Sequence, residues 1–186
     1  MDFQFSDEQR MIIKMVRDFA NKEILPTVEQ RDEEEVFDRG ILDRIGELGL
    51  MGIFFPEEYG GSDGDYLSYI LANEELSRVD DSIACSYAAS VSLCAWPIFT
   101  YGTDEQKKKY LTPLAEGSKL GAFGLTEPNA GTDSASQQTH AEKKDGYYLL
   151  NGSKCFITNG GEADIYVVFA MTDKSKGTKG ISAFKI

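Results

Sequence analysis

Two polar loops carry the residues whose types could do chemistry. The first is GLTEPNAGTDSAS, residues 124–136, which crowds hydroxyl, amide and carboxylate side chains behind a short apolar run. Glu127 has the setting of a catalytic acid. The alternative is that the loop is a cradle for a ligand, built from hydroxyl groups and free backbone amides.

The second loop is KCFITNGG, residues 154–161, and it too follows an apolar strand pattern. Gly160 and Gly161 allow close backbone approach, as does Gly131 of the first loop. Hydroxyls are offered by Thr126, Thr132 and Thr158, and flat apolar surface by Phe123 and Phe156. Together these groups suit a planar ligand with a polar edge. The competing interpretation is that they are ordinary turn residues of a β-sandwich.

Other kinds of site find no support in the sequence. His140 is the single histidine, so no Ser-His-Asp or Cys-His arrangement is available, and no metal site is predicted. The cysteines, Cys85, Cys94 and Cys155, are odd in number and lack C-x-x-C spacing, which predicts free thiols in a reducing cytoplasm. Neither a phosphate-binding P-loop nor a Rossmann glycine motif is present. The formal charge of −12 argues against nucleic acid and anionic membranes as partners.

Residues 1–118 show helical patterns. We expect these helices to form the support on which the two loops are held. The expected landmarks are a Ser6–Gln9 capping box with a helix stopped by Pro26, a helix from Asp38 to Gly49, a helix over 66–79, an uncharged helix from about Ser82, and a fifth from Thr103 to near Pro113. The uncharged run 82–103 has the length of a membrane span, but its serines and proline favour a buried core helix.

Strand patterns begin at Lys119, so a second domain is predicted over 119–186. The strands are 119–126, two hairpins turning at Asp145-Gly146 and Asn151-Gly152, 164–172 and 180–186. The whole excess of acidic over basic residues lies in 1–118. The predicted fold is therefore α+β, a helical domain followed by an antiparallel β domain. Because the sequence stops at a strand, we expect this β domain to be incomplete.

At the two loops the sequence resembles the acyl-CoA dehydrogenase flavoprotein family. GLTEPNAGTDSAS is similar to the family signature, and NGSKCFITNGG (151–161) to its second motif. PEEYGG (56–61) and GTDEQKKKYLTPLAEG (102–117) are similar to two further family segments, in the same order along almost the whole chain. The residues of these motifs are most similar to those of bacterial short-chain (butyryl-CoA) dehydrogenases.

The resemblance implies FAD as the cofactor and assigns residues to it. The implied flavin-binding residues are Phe123, Leu125, Thr126, Thr132, Phe156, Ile157 and Thr158, with Leu125 and Thr126 at the pyrimidine edge, Phe156 against the ring and Thr158 near N5. The implied substrate-binding residues are Thr132, which also touches the cofactor, and Ala89, Ser90 and Leu93 along the acyl pocket. Glu127 then has a structural role, bonding locally to hold the turn.

The implied reaction is α,β-dehydrogenation of a short-chain acyl-CoA to the trans-2-enoyl-CoA, with electrons passed to an electron-transfer flavoprotein. The resemblance also implies a homotetramer in the bacterial cytoplasm. The family's glutamate base lies in a C-terminal helical domain, and no residue of 1–186 corresponds to it. We therefore expect these residues alone to be inactive. The alternatives are an acyl-CoA oxidase of the same fold and an inert truncated module that binds flavin or a partner.

Overall fold

Helices run through the chain as far as Ala115, and the strands follow. The computed structural model describes residues 4–186. Its α-helices are α1 (Asp7–Phe19), α2 (Val28–Glu33), α3 (Arg39–Glu47), α4 (Tyr66–Ser77), α5 (Asp81–Ala88), α6 (Trp96–Tyr101), α7 (Asp104–Gln106) and α8 (Thr112–Ala115). Its strands are β1 (Gly121–Gly124), β2 (His140–Lys143), β3 (Tyr148–Asn151), β4 (Ile165–Met171) and β5 (Ile181–Lys185).

The predicted start of α1 is confirmed, but its predicted end at Pro26 is wrong. Ser6 Oγ accepts from the Gln9 amide at 3.1 Å and Gln9 Oε1 accepts from the Ser6 amide at 3.0 Å, which completes the capping box. Beyond α1 the helical path continues as a π segment (Ala20–Ile24) and a 3₁₀ turn (Leu25–Thr27) that contains Pro26. These segments change the hydrogen-bond spacing, so the helical path continues although Pro26 has no amide hydrogen to donate.

Two further predicted helix boundaries, those of α3 and of the fifth helix, can be compared with the structure. Asp38 caps α3 through the Ile41 amide at 3.4 Å, and Gly49, at φ +74°, lies in the left-handed region just beyond the helix, as predicted. The fifth helix was expected to end near Pro113, and the helical path ends at Ala115. It runs from α7 through a π segment (Lys107–Leu111) into α8, whose first turn holds Pro113.

The uncharged helix packs as a core helix. Asp81–Tyr101 is the single helical stretch within residues 4–186 that is long and apolar enough to cross a membrane by length and composition. It is built from α5, a π segment (Ala89–Ala95) and α6. Tyr87, Val91 and Cys94 are fully buried in the main hydrophobic core, as expected for a helix inside a helical domain.

The sheet is mixed, which corrects the predicted antiparallel domain. Around β4, strand β1 pairs in parallel on one edge and β5 pairs antiparallel on the other. β2 is parallel to β4 at a single pair, His140 with Met171, and antiparallel to β3. Turn signals in a sequence report only strands that are neighbours in the chain. The pairing of β1 with β4 depends on a long crossover that leaves no such signal.

One predicted hairpin is confirmed and the other is wrong. Asp145-Gly146 joins β2 to β3, with Gly146 at φ +81° and the Lys144 amide donating to the Tyr147 carbonyl at 2.8 Å. After Asn151-Gly152, by contrast, no strand forms and the chain enters the second polar loop. A Cβ at Gly152 would lie 2.6 Å from Thr139 Cα, so this glycine permits a close backbone approach instead of a turn.

The first polar loop interrupts one edge of β4. Gly124, the last residue of β1, pairs with Val168, and His140 pairs with Met171 three residues further along β4. Because β5 occupies the opposite edge from Val167 to Met171, β1 and β2 share the same edge. Residues 125–139 therefore leave the sheet and return to it almost where they left.

Helices and sheet are joined by polar contacts as well as by the core, one of them buried and others at the surface. Ser90 Oγ accepts from the Gly121 amide at 3.0 Å, which fastens the π segment to β1. Asp164 accepts from Arg39 at 3.0 Å, from Lys119 at 2.9 Å and from the Leu120 amide at 2.9 Å. Burial raises the pKa of Asp164, but the Leu120 amide and the two cations outweigh it and lower the pKa to about 2.

Asp164 should make the stability of the protein depend on acidity. A carboxyl group whose folded pKa is depressed contributes stability that is present above its unfolded pKa, near 4, and lost as the pH falls towards 2. We expect Asp164→Asn to lower stability at pH 6 and to flatten its decline between pH 5 and 2. Urea unfolding at several pH values measures this. Asp43→Asn, at the exposed second partner of Arg39, is the control, and equal slopes for the two variants would contradict the prediction.

Candidate functional site

The two polar loops meet at the ends of their strands. The Cys155 amide donates to the Thr126 carbonyl at 3.0 Å, so backbone joins backbone between the loops. Lys154 adds a side-chain link, because its ammonium donates to the Leu125 carbonyl at 2.9 Å. The structure thus brings together residues 125–126 and 154–155, which are far apart in sequence.

Glu127 is not available as a catalytic acid. Its carboxylate is 6 % exposed and accepts from the Gln138 amide at 2.6 Å, the Thr139 amide at 3.0 Å and Lys154 Nζ at 2.8 Å. Burial raises the pKa of Glu127, but these donors outweigh it and lower the pKa to about 2. The side chain is therefore ionised and both of its carboxylate oxygens accept hydrogen bonds. The prediction that Glu127 bonds locally and holds the turn is confirmed.

Phe156 is presented to the outside in an unusual backbone conformation. Its side chain is 92 % exposed and its φ is +56°, a region that side chains with a Cβ seldom occupy. An aromatic residue held in a strained conformation and left uncovered is typical of a site where a ligand supplies the missing contact.

Asn159 anchors the far end of the second loop. It is buried at φ +65°, and its side-chain amide donates to the Ser86 carbonyl at 3.0 Å and the Gly121 carbonyl at 2.9 Å. Sequence reasoning missed both Asn159 and Lys154 as site-building residues. An asparagine before two glycines is typical of a turn, and a lysine within a loop is typical of the surface. Only the tertiary structure reveals that Asn159 is buried and that the side chain of Lys154 is mostly so.

Unpaired donors lie beside Phe156. Within residues 4–186 the hydroxyls of Thr126 and Thr158 have no hydrogen-bond partner, and the amides of Ile157 and Thr158 donate to no acceptor. Leu125 is partly buried at the same junction. These donors and one exposed ring fit a planar ligand with a polar edge, such as an isoalloxazine ring. Thr132 is exposed and makes no hydrogen bond inside the described part of the chain.

An apolar cleft of about 400 Å³ lies between the helices and the sheet. Its walls include Leu93, Phe123 and Phe169, and the last two rings pack edge to face at 5.2 Å. Leu93 is thus the one of the three helical pocket candidates that reaches this cleft. Ala89 and Ser90 are buried instead, and the Ser90 hydroxyl accepts a hydrogen bond from the Gly121 amide of β1.

The remaining chemistry-bearing residues are dispersed. No group of three or more histidine, cysteine or acidic residues could hold a metal ion in the part of the chain that was searched, residues 4–186. His140 is exposed at the start of β2. Cys94 is buried and Cys85 exposed, and all three thiols are free.

The architecture is a helical part followed by a mixed sheet, with two polar loops that meet at the ends of strands. The chain belongs to the acyl-CoA dehydrogenase family. The family model of the N-terminal domain matches residues 6–118, and that of the middle domain matches residues 122–186.

Several relatives agree with this assignment. The chain is 57% identical to the short-chain-specific acyl-CoA dehydrogenase of Megasphaera elsdenii over 188 residues, 99% of this chain and 49% of that protein. The solved butyryl-CoA dehydrogenase from the same organism superposes with a TM-score of 0.96 at 56% identity, covering 100% of this chain and 50% of that one.

Two further solved structures are informative. One, described as the electron transferring flavoprotein of Acidaminococcus fermentans, contains a chain with a TM-score of 0.98 at 60% identity, over 100% of this chain and 49% of that one. PigA with FAD and proline matches with a TM-score of 0.92 at 31% identity, over 100% and 49%. The chain spans about half the length of the relatives it matches.

Proposed function

We propose that this chain forms the flavin-binding part of a short-chain acyl-CoA dehydrogenase. The observation that carries the proposal is the junction of the two loops, where an exposed Phe156 stands beside unpaired hydroxyl and amide donors. The residues proposed to hold FAD are Phe123, Leu125, Thr126, Thr132, Phe156, Ile157 and Thr158. The solved relative with FAD supports the choice of cofactor.

The proposed reaction is α,β-dehydrogenation of a short acyl-CoA thioester. Bound FAD would supply the two-electron oxidation. The chain's own contribution is to orient the cofactor through the donors of Thr126 and Thr158 and to offer an apolar wall, including Leu93, to the acyl group. Relatives named short-chain specific and butyryl-CoA dehydrogenase support the substrate class. Thr132, Ala89 and Ser90 remain proposed substrate-binding residues. Ala89 and Ser90 are buried, so they would support the pocket wall without being exposed in it.

The proton-abstracting base is proposed to come from outside residues 1–186. Glu127 does not fit this role, since its carboxylate is buried and accepts three hydrogen bonds from within the protein. We also propose two domains, 1–118 and 119–186, and the change between the two family models at residues 118–122 supports this division.

An electron-transfer flavoprotein is the proposed electron acceptor, in a homotetramer of the bacterial cytoplasm. The close match to a chain in the Acidaminococcus fermentans structure supports this partner. The net charge of −12 is consistent with a partner other than nucleic acid.

Flavin absorbance tests the proposal. We expect the purified protein to bind FAD and turn yellow, and polypeptide 1–186 to stay yellow when butyryl-CoA is added, because it lacks the base. A longer protein that contains these residues and the base should be bleached. Protein that binds no FAD would contradict the proposal, and oxygen consumption during turnover would indicate an acyl-CoA oxidase instead. Bleaching of 1–186 alone would refute the assignment of the base to another segment.

A further inference from the structure

Lys154 is a buried cation with every donor in use. Its side chain is 11% exposed, and its ammonium donates to the Leu125 carbonyl at 2.9 Å, Glu127 Oε1 at 2.8 Å and Gln137 Oε1 at 3.2 Å. A lysine normally keeps its ammonium in water. Three acceptors within hydrogen-bond distance compensate the ammonium for the water that it has lost.

The ion pair spans the two loops. Lys154 belongs to the second loop. Leu125 and Glu127 belong to the first loop, and Gln137 directly follows it, on the way to β2. Glu127 in turn is tied to the amides of Gln138 and Thr139, just before β2 begins. The pair therefore fixes the second loop against both ends of the first loop, its departure from β1 and its return to the sheet.

Lys154 contacts the backbone of the proposed flavin site directly. The carbonyl that it holds is that of Leu125, whose next residue, Thr126, offers a free hydroxyl and accepts from the Cys155 amide. Phe156 follows immediately on the other loop. A shift of the Lys154 ammonium would thus move the donors and the ring relative to each other.

We propose that Lys154, paired with Glu127, is a positioning residue that aligns the two flavin-binding loops and sets the reduction potential of the bound flavin. This inference rests on the proposed function, because it requires a flavin at the junction. Neither residue is placed in contact with the substrate, so neither is a catalytic residue.

The two charges of the pair should shift the reduction potential of the flavin in opposite directions. Reduced flavin carries more negative charge than oxidised flavin, and nearby protein charge tunes the potential. Lys154→Met leaves the Glu127 carboxylate without its cation, which disfavours the reduced form and lowers the potential. Glu127→Gln leaves an unpaired ammonium, which favours the reduced form and raises the potential. The double variant removes both charges, and its potential should lie close to that of the wild type.

A pair that served stability alone would behave differently. Breaking a buried ion pair from either side leaves an uncompensated charge and destabilises the fold in both cases. The melting temperature therefore falls for both single variants under either interpretation. Potentials that move in opposite directions are expected only if the charges act on the flavin.

The experiment compares the FAD-loaded wild type with Lys154→Met, Glu127→Gln, the double variant and Lys144→Met. Lys144 is the matched control, an exposed lysine paired with Glu142 at the β2–β3 turn. For each protein, the FAD dissociation constant, the midpoint potential against redox dyes and the melting temperature are measured. We expect FAD affinity to fall about tenfold in each single variant, potentials to shift in opposite directions, and the control to match the wild type.

The outcomes separate the two proposals. If the wild type binds FAD but the two potentials stay unchanged or shift in the same direction, the inference about Lys154 is overturned and the proposed function stands. If the wild type binds no FAD, both are overturned. Should Lys154→Met not fold, Glu127→Gln decides alone, since a damaged loop gives no reason for a raised potential.

Discussion

Gly61→Ala is expected to lower the free energy of unfolding by about 3 kcal/mol, the upper end of the usual cost of overpacking. A Cβ at this position would lie 2.0 Å from the Phe55 carbonyl oxygen and 2.8 Å from that of Gly52. The Phe55 carbonyl has little freedom to move away, because it accepts from the Asp63 amide at 3.0 Å. The segment PEEYGG therefore has a structural reason for its second glycine, the close passage of two backbones.

Urea unfolding of this variant measures the effect. Gly131→Ala is the matched control, because a Cβ there meets no atom within 4 Å and the residue lies in an exposed loop. The control should differ from the wild type by less than about 0.5 kcal/mol. A loss for Gly61→Ala no greater than that of the control would show that the loop after Pro56 rearranges freely.

Phe156→Gly is expected to separate folding from cofactor binding. Glycine adopts a positive φ without strain, so the fold should be as stable as the wild type or more stable by up to about 1 kcal/mol. The exposed ring is lost at the same time, and FAD affinity should fall about tenfold or more, since an aromatic pair contributes roughly 0.5–1.5 kcal/mol beyond its buried area.

Flavin fluorescence titration and thermal unfolding together check this prediction. Tyr147→Ala is the control, because Tyr147 is another exposed aromatic residue, in the β2–β3 connection away from both loops. It should leave FAD affinity unchanged. Unaltered FAD affinity in Phe156→Gly would remove the ring from the proposed cofactor contacts.

Local patterns predicted most of the helices, because their signals are contained in a few neighbouring residues. The Ser6–Gln9 capping box, the Asp38 cap and the Asp145-Gly146 hairpin are all formed as the sequence indicates. Pro26 was misread because proline stops a regular α-helix, whereas here a π segment precedes it. Nothing in the residues around Pro26 shows that the helix will widen.

Long-range contacts were beyond the reach of such patterns. The parallel pairing of β1 with β4 and the burial of Lys154 both depend on segments that are distant in sequence. The residue types of the two loops placed Phe156 and Thr158 in the predicted site, and the resemblance to a known family added Leu125 and Ile157. Neither explained why the loops hold their shape. Asn159 and Lys154 supply that reason, through hydrogen bonds to backbone carbonyls.

The interruption in one edge of β4 has a consequence for redesign. Residues 125–139 are clamped at both ends to positions three residues apart on one strand, a separation of roughly 10 Å. The register of the sheet is set by those two anchor pairs and not by the number of residues between them. Insertions near the exposed Gly131 could lengthen the connection while leaving every strand in place, at an entropic cost that grows only slowly with length. Such grafts offer a way to vary ligand preference on an unchanged scaffold.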